Sequence, residues 1–245
     1  YVVTVSDKGD GTLNVAYDTP EDVEFNNSYK ATGSFAPAIK KVLEGRILKD
    51  GEFEFELYKG EDRIETKTND GDGNVYFSAL AFTLEDVESS PHVYTIKEVK
   101  GTLGGVEYSE KVITLTIALT DNGDGTLKVE ATYSEADPTI TNIYTATGIF
   151  TPEVTKALSG RDLAAEEFEF VLKEGDAVLQ TVKNLADGSI PFEVINYTLA
   201  DVGEHTYTIT ENSSGLGGVK DDILVITYVV TVSDKGDGTL NVAYD

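Results

Sequence analysis

Three chemically complementary residue types occupy matching positions in two parts of this sequence. Each part has a lysine in an apolar segment and a glutamate after a Tyr-Thr-Ile run. An asparagine two residues before a tyrosine stands in the last strand of the first part, and its counterpart precedes that part, in the segment 1–29. The sets are Lys41, Glu98 and Asn142, and Lys156, Glu211 and Asn27. A neutral lysine amine is a nucleophile and a carboxyl group can carry protons, so these types can react together. Taken singly, each has a plainer explanation, because lysines usually snorkel at the surface and asparagines usually occupy turns or edges.

Acidic, glycine-containing segments resemble the opening of a calcium loop. They are the runs at 7–11, 69–74, 121–125 and 234–238. A calcium loop needs a glutamate at its twelfth position, where this sequence has Asp18 and Thr132. We therefore expect hairpin turns, in which Asn-Gly and Asp-Gly tolerate positive φ, and we expect no bound metal.

Motifs for enzymatic turnover are missing from the sequence. It has no glycine-rich phosphate loop, no His-Glu-x-x-His motif and no cysteine nucleophile. The two histidines, His92 and His205, stand at corresponding places in different modules, and we expect both at exposed edge positions. We predict that the protein is not an enzyme in the turnover sense and that it needs no cofactor.

Composition indicates a folded and strongly acidic chain. Hydrophobic residues make up 40% of the sequence and the net charge is −25. This charge argues against nucleic acid and anionic membrane surfaces as partners, since both need a basic face. No apolar run reaches about 18 residues, so we expect no membrane insertion. The chain begins at Tyr1 and contains no Met, and we interpret it as an internal fragment.

Internal repeats organise the chain. Residues 1–18 recur letter for letter at 228–245, and an imperfect repeat relates the run at 31–106 to the run at 146–219. Such periodicity is typical of modular arrays. We name residues 30–144 module A and residues 145–245 module B. We predict that 1–29 are the C-terminal strands of a preceding B-type module, and that module B lacks a last strand equivalent to 19–29.

Alternating apolar residues and turn signals predict an antiparallel β-sandwich for each module. The predicted strands of module A are 32–43, 52–59, 62–68, 74–79, 92–100, 110–120, 126–133 and 138–144. Single helical turns are predicted at 84–87 and 199–202, and a glycine-bearing loop at 102–105.

The motifs together resemble the pilin isopeptide-linkage domain of Gram-positive pilins and surface adhesins. They are K-x-L-x-G-R, Y-T-I-x-E, G-x-L-x-G-V, D-x-G-D-G-T-L and F-x-N-x-Y, and they cover nearly the whole chain. The resemblance implies an all-β fold of tandem Ig-like β-sandwich modules of the collagen-adhesin B type.

For module A, the resemblance implies an amide bond between Lys41 and Asn142, assisted by Glu98. Burial would penalise the charged forms and favour a neutral amine and a neutral acid. The acid would donate a hydrogen bond to the carboxamide oxygen and then carry a proton to the leaving ammonia. The sandwich would hold the reactants together, and each molecule would react once.

For module B, the resemblance implies Lys156 with Glu211 and an asparagine equivalent to Asn27. Module B departs from the family pattern because it has no asparagine of its own at that position. Two explanations stay open. The last strand follows in the parent protein, or the segment 1–29 of another copy donates it to a neighbouring module.

The implied function is structural: a stalk or spacer of a fibre or adhesin, outside the cell and attached to a Gram-positive cell wall. The alternatives are an adhesin module that binds a host glycan or protein, and a sortase-polymerised pilin subunit. If the chain is a stalk, a host ligand would bind at a tip domain outside this chain. Verbatim repetition favours the stalk, because a spacer can be copied unchanged whereas a ligand site need not be.

Overall fold

A computed structural model describes residues 1–21 and 23–245, and β-strands dominate it, as the sequence predicts. The N-terminal strands are β1 (Val3–Asp7) and β2 (Leu13–Tyr17). The strands of module A are β3 (Thr32–Phe35), β4 (Ala38–Glu44), β5 (Glu54–Lys59), β6 (Asp62–Thr68), β7 (Asn74–Tyr76), β8 (Leu80–Thr83), β9 (His92–Glu98), β10 (Val106–Glu107), β11 (Val112–Asp121), β12 (Leu127–Tyr133) and β13 (Thr139–Tyr144). The strands of module B are β14 (Thr147–Phe150), β15 (Glu169–Glu174), β16 (Ala177–Lys183), β17 (Ile195–Thr198), β18 (Gly203–Glu211), β19 (Val225–Asp234) and β20 (Leu240–Tyr244).

Position 22, which belongs to the predicted segment 1–29, lies outside the described residues. Two parts of the strand prediction for module A are wrong. The predicted strand at 32–43 is two strands, β3 and β4, which pair with different partners. Pro37 stands between them, and a proline has no N–H for a ladder. Strands β8 and β10 are additional. The predicted helical turns are present as the 3-10 helices Leu84–Val87 and Leu199–Asp201.

Module A has a four-stranded sheet in the order β10-β13-β4-β7 and a five-stranded sheet in the order β12-β11-β9-β5-β6. Strands β13 and β4 lie side by side and run parallel, with Ile140 opposite Lys41. The last strand of the module is therefore a direct neighbour of the strand that carries the candidate lysine.

The alternation of β4 explains why Lys41 is buried and Lys40 is not. Successive side chains of a strand point to opposite faces of the sheet. Ile39, Lys41 and Leu43 are buried whereas Lys40 is exposed. A one-residue slip would expose both flanking apolar side chains, so the packing of Ile39 and Leu43 sets which lysine enters the core.

Module B has a five-stranded sheet in the order β16-β15-β18-β19-β20 and a separate β14-β17 pair. The segment that corresponds to β4 makes a single isolated bridge, between Thr155 and Ser189. The Lys156 backbone is nevertheless placed as the Lys41 backbone is. Lys41 N donates to Gly73 O at 2.6 Å and Lys156 N to Gly188 O at 2.7 Å.

Backbone contacts divide the chain into two compact units. One comprises 1–35, 80–92 and 117–130, and it contains the β1-β2 hairpin and the β3-β8 pair. The other comprises 36–79, 93–116 and 131–245, and it contains the parallel β13-β4 pair and the five-stranded sheet of module B. Within the described residues, no helix has the length and apolar character needed to cross a membrane.

Candidate functional site

Three strands bring Lys41, Glu98 and Asn142 together inside module A. Lys41 is on β4, and Asn142 lies on the adjacent β13, two residues after the Ile140 that faces Lys41. Both side chains therefore point to the same face of the sheet. Glu98 ends β9 in the other sheet, where it is paired with Phe55. The triad lies between the two sheets of the sandwich.

One carboxyl oxygen of Glu98 contacts both prospective reactants. Glu98 Oε1 lies 2.9 Å from Lys41 Nζ, and Asn142 Nδ2 donates a hydrogen bond to the same oxygen at 2.8 Å. The backbone N–H of Ser109 donates to Asn142 Oδ1 at 2.8 Å. The residues are almost fully buried, with exposed fractions of 1% for Lys41, 8% for Glu98 and 0% for Asn142.

The orientation of Asn142 differs from our expectation for the acid. We expected Glu98 to donate a hydrogen bond to the carboxamide oxygen, but the nitrogen of Asn142 faces Glu98 instead. The Ser109 N–H occupies the oxygen side, so a backbone group stands where negative charge would develop. Sequence reasoning missed Ser109, because a backbone donor leaves no signature in residue type.

The surroundings of Lys41 make its amine a weaker base than that of a lysine in water. Burial lowers the pKa of Lys41, and the neighbouring Glu98 opposes this shift only in part. Nζ lies 4.5 Å from the centre of the Phe53 ring and 5.9 Å from that of Phe55. Among the described residues, neither Nζ nor the second oxygen of Glu98 has a well-oriented hydrogen-bond partner. An incompletely satisfied buried pair is typical of a reactive site.

Module B repeats the lysine and the acid. Lys156 Nζ donates to Glu211 Oε2 at 2.6 Å, and their side chains are 11% and 5% exposed. Nζ also lies 4.1 Å from the centre of the Phe168 ring. Phe168 and Phe53 stand at matching places in the repeated Glu-Phe-Glu-Phe runs, so the repeat itself could have identified the aromatic wall.

A cavity of about 230 Å³ adjoins Lys156 and Glu211. Its apolar walls come from Phe170, Ile190, Ile209, Leu224 and Ile226. Asn27, the third predicted residue of this set, is exposed and lies outside the strands. The structure thus brings Lys41, Glu98 and Asn142 together, whereas in module B it pairs only Lys156 with Glu211.

The prediction that both histidines occupy exposed edges is wrong. His92 is buried, stacks on Phe82 and places Nε2 2.9 Å from the Asp86 carbonyl oxygen. His205 is half-buried and places Nε2 2.8 Å from the Asp201 carbonyl oxygen. Each ring contacts a carbonyl of the 3-10 turn that lies four to six residues before it in the sequence, and no residue-type motif in the sequence marks this contact.

The acidic runs form turns, as predicted. The runs at 7–11 and 234–238 connect the antiparallel pairs β1-β2 and β19-β20. Their carboxylates accept hydrogen bonds from their own turns, and Asp10 accepts both the N–H and the hydroxyl of Thr12. Within residues 1–21 and 23–245, no cluster of three His, Cys, Asp or Glu side chains could hold a metal ion.

Comparison with protein families gives a match over most of the chain. The model of the family described as "FctA: Spy0128-like isopeptide containing domain" matches residues 37–145 and 152–245. The two matched segments correspond closely to modules A and B. A comparison with curated proteins found no match.

Solved structures with a detectable likeness include streptococcal pilins. The Bacillus anthracis TIE protein is 16% identical with a TM-score of 0.30, and the match covers 80% of this chain and 31% of that one. The major pilin T-13 of Streptococcus pyogenes is 15% identical with a TM-score of 0.31, covering 89% and 98%. The Streptococcal ancillary pilin is 15% identical with a TM-score of 0.28, covering 94% and 69%. Because these TM-scores are low, the family assignment depends on the match to the family model.

Proposed function

Because the chain belongs to the family of Spy0128-like isopeptide-containing domains, we propose that Lys41 and Asn142 become joined by an intramolecular amide bond. The bond would lock a structural module of a cell-surface pilus or adhesin. The observation that supports this pairing is the shared oxygen of Glu98, which contacts Lys41 Nζ at 2.9 Å and Asn142 Nδ2 at 2.8 Å. Burial excludes water, which would otherwise compete for these groups.

The reaction balances with these groups alone. A proton passes from the Lys41 ammonium to Glu98, and the neutral Nζ attacks Cγ of Asn142. The Ser109 N–H stabilises the negative charge that develops on Oδ1. Glu98 returns a proton to Nδ2, the Cγ–Nδ2 bond breaks and ammonia leaves, while a proton lost from Nζ restores the acid. The net change converts one amine and one carboxamide into a secondary amide and ammonia.

Intact mass spectrometry tests the bond. We expect the chain to be lighter than its sequence mass by one ammonia molecule, and a protease digest to contain a branched peptide with Lys41 and Asn142. The single variants Lys41→Ala and Glu98→Gln should each have the full mass of their own sequence. Lys41→Ala removes the nucleophile, and Glu98→Gln removes the proton carrier. A wild-type chain of full sequence mass would refute the proposal.

The mechanical role follows from strand adjacency. An amide between β4 and β13 would let tension pass directly between neighbouring strands. In single-molecule pulling, the chain between Lys41 and Asn142 should not extend in the wild type. Glu98→Gln should release about 100 residues, or roughly 350 Å of added length. Equal extension of both proteins would contradict the mechanical role.

For module B, we propose that residues 19–29 of a neighbouring module, in the same or another copy, bring Asn27 to Lys156. Residues 1–18, which precede this segment, are identical to residues 228–245, which contain β20. Residues 19–29 therefore have the sequence expected of the strand that would come after β20. The cavity beside Lys156 and Glu211 has apolar walls that would accept such a strand.

A synthetic peptide of residues 19–29 tests this strand donation. We expect an adduct with the chain whose mass is the sum of both minus one ammonia. A peptide with Asn27→Ala, or a chain with Lys156→Ala, should give no adduct. Since the bond in module A is measured on the same sample, failure of the adduct alone would overturn only the proposal for module B.

We also propose that the protein is displayed outside the cell, attached to a Gram-positive cell wall. Membership of the isopeptide-domain family supports this location. A chain without cysteines would gain from a crosslink that is independent of redox conditions. Brief protease treatment of intact source cells should release peptides of this chain, whereas their release only after lysis would contradict the proposal.

A further inference from the structure

Three repeated sequence features that the crosslink does not use meet where module A adjoins module B. They are the tyrosine that ends the last strand, the Gly-Gly loop and the acidic turn at 234–238. Tyr144 OH donates a hydrogen bond to Asp234 Oδ1 at 2.7 Å, and Gly238 N donates to Tyr144 OH at 3.1 Å. The turn of module B therefore accepts and donates at the same phenol of module A.

The Gly-Gly loop of module A presses against the same turn. A Cβ on Gly104 would lie 2.1 Å from Asp237 O, and a Cβ on Gly105 would lie 2.5 Å from Gly238 Cα. Both distances are shorter than any real Cβ contact, so two backbones approach here in a way that only glycine permits. Thr145 N also donates to Gly105 O at 2.9 Å, which fixes the loop to the connection between the modules.

Module A holds Tyr144 rigidly for this contact. The Arg46 guanidinium lies 4.8 Å from the centre of the tyrosine ring, and two of its nitrogens bond Glu52 at 2.6 and 3.0 Å. The ring is fully buried. Tyr144 follows Asn142 by two residues on β13, so the strand proposed to carry the crosslink also carries the docking group.

The same contact occurs a second time, at the earlier boundary. Tyr29 OH donates to Asp121 Oδ1 at 2.8 Å, and Gly125 N donates to Tyr29 OH at 3.0 Å. Asp121 and Gly125 hold the positions in the module A turn that Asp234 and Gly238 hold in module B. The same atoms make this contact at two boundaries with different flanking sequences. We therefore interpret it as a specific contact of the repeat, since an accidental contact would not recur with the same atoms.

We propose that these groups form a docking joint between consecutive modules. The strand-terminal tyrosine and the Gly-Gly loop of one module bind the Asp-x-Gly-Asp-Gly turn of the next. The joint fixes the angle between modules and passes tension from the turn of module B to β13 of module A. Its partner is the adjacent module of the array, and it forms whether or not Lys41 and Asn142 react.

Two matched glycines provide a direct test. Gly104 and Gly217 are equivalent residues of the two Gly-Gly loops, and neither has positive φ. A Cβ on Gly104 meets the turn of module B, whereas a Cβ on Gly217 meets no atom within 4 Å. Gly104→Ala should therefore disrupt the joint, and Gly217→Ala should leave it intact with the same change in composition.

The angle between modules can be read with spin labels, because the chain has no cysteine of its own. Glu61→Cys and Asp176→Cys place one label on the exposed β5-β6 turn and one on the exposed β15-β16 turn. We expect Gly104→Ala to broaden the distance distribution about twofold or more, since modules without a large interface move independently. Gly217→Ala should match the wild type.

Tyr144→Phe is the second variant, since it keeps the ring and removes only the two hydrogen bonds of the phenol. It should broaden the distribution less than Gly104→Ala does. Unchanged distributions in both Gly104→Ala and Tyr144→Phe, or equal broadening in Gly217→Ala, would overturn the joint. Intact mass on the same samples keeps this result separate from the crosslink, which all three variants should retain.

Discussion

The double variant Lys41→Met/Glu98→Gln measures what the proposed bond contributes to stability. It removes the nucleophile and the acid together, and it replaces them with neutral side chains of similar size. No unpaired charge is then left in the core, where Lys41 is 1% and Glu98 8% exposed. The difference from the wild type should therefore report mainly the loss of the crosslink.

The expected magnitude follows from the length of the loop that the bond closes. Lys41 and Asn142 enclose about 100 residues, and closing such a loop restricts the unfolded chain by about 4.7 kcal/mol. For a module of this size, each kcal/mol changes Tm by about 4 °C, so the double variant should melt roughly 15–20 °C lower. Glu98→Gln alone should lose about 3–5 kcal/mol more, because it leaves a buried ammonium without its partner.

Differential scanning calorimetry with intact mass on each sample is the assay. The control is Lys128→Met/Glu130→Gln, a pair 2.8 Å apart whose side chains are 56% and 57% exposed. Exposed pairs contribute at most about 1 kcal/mol, so its Tm should barely change. If the wild type carries the bond but the double variant melts within a few degrees of it, the loop-entropy reasoning is wrong.

Two further predictions concern side chains outside the triad. Arg46→Lys should destabilise module A by about 1–3 kcal/mol in urea unfolding, because a lysine cannot replace the paired bonds to Glu52; an unchanged midpoint would contradict this. The Asp201 carbonyl and Glu174 raise the pKa of His205 in the folded protein. Protonated His205 therefore stabilises the fold below the unfolded pKa of about 6.5, and this stabilisation is lost as pH rises through the higher folded pKa. Urea unfolding across that window should show module B weakening in the wild type and not in His205→Gln, and parallel pH profiles would refute the assignment.

Alternation and turn residues predicted the all-β fold, the repeats singled out Lys41, Glu98 and Asn142, and the resemblance to the isopeptide-linkage family implied their joint role. Alternation works because burial in a sheet has a period of two residues, which places Lys41 between the buried Ile39 and Leu43. Local patterns could not predict that β3 and β4 pair with different strands. They also could not predict the side of Asn142 that faces Glu98, since both depend on partners far apart in the sequence.

The two identical segments, 1–18 and 228–245, separate local from long-range effects most clearly. Both form the same hairpin, with Val3 opposite Tyr17 in one and Val230 opposite Tyr244 in the other. The turn residues and the alternation specify that register wherever the segment occurs. Burial is another matter: Val3 and Val5 are 55% and 54% exposed, whereas Val230 and Val232 are 0% and 2% exposed. The amino-acid order specifies the hairpin, but whether its apolar face is buried depends on the strands that the rest of the fold packs against it.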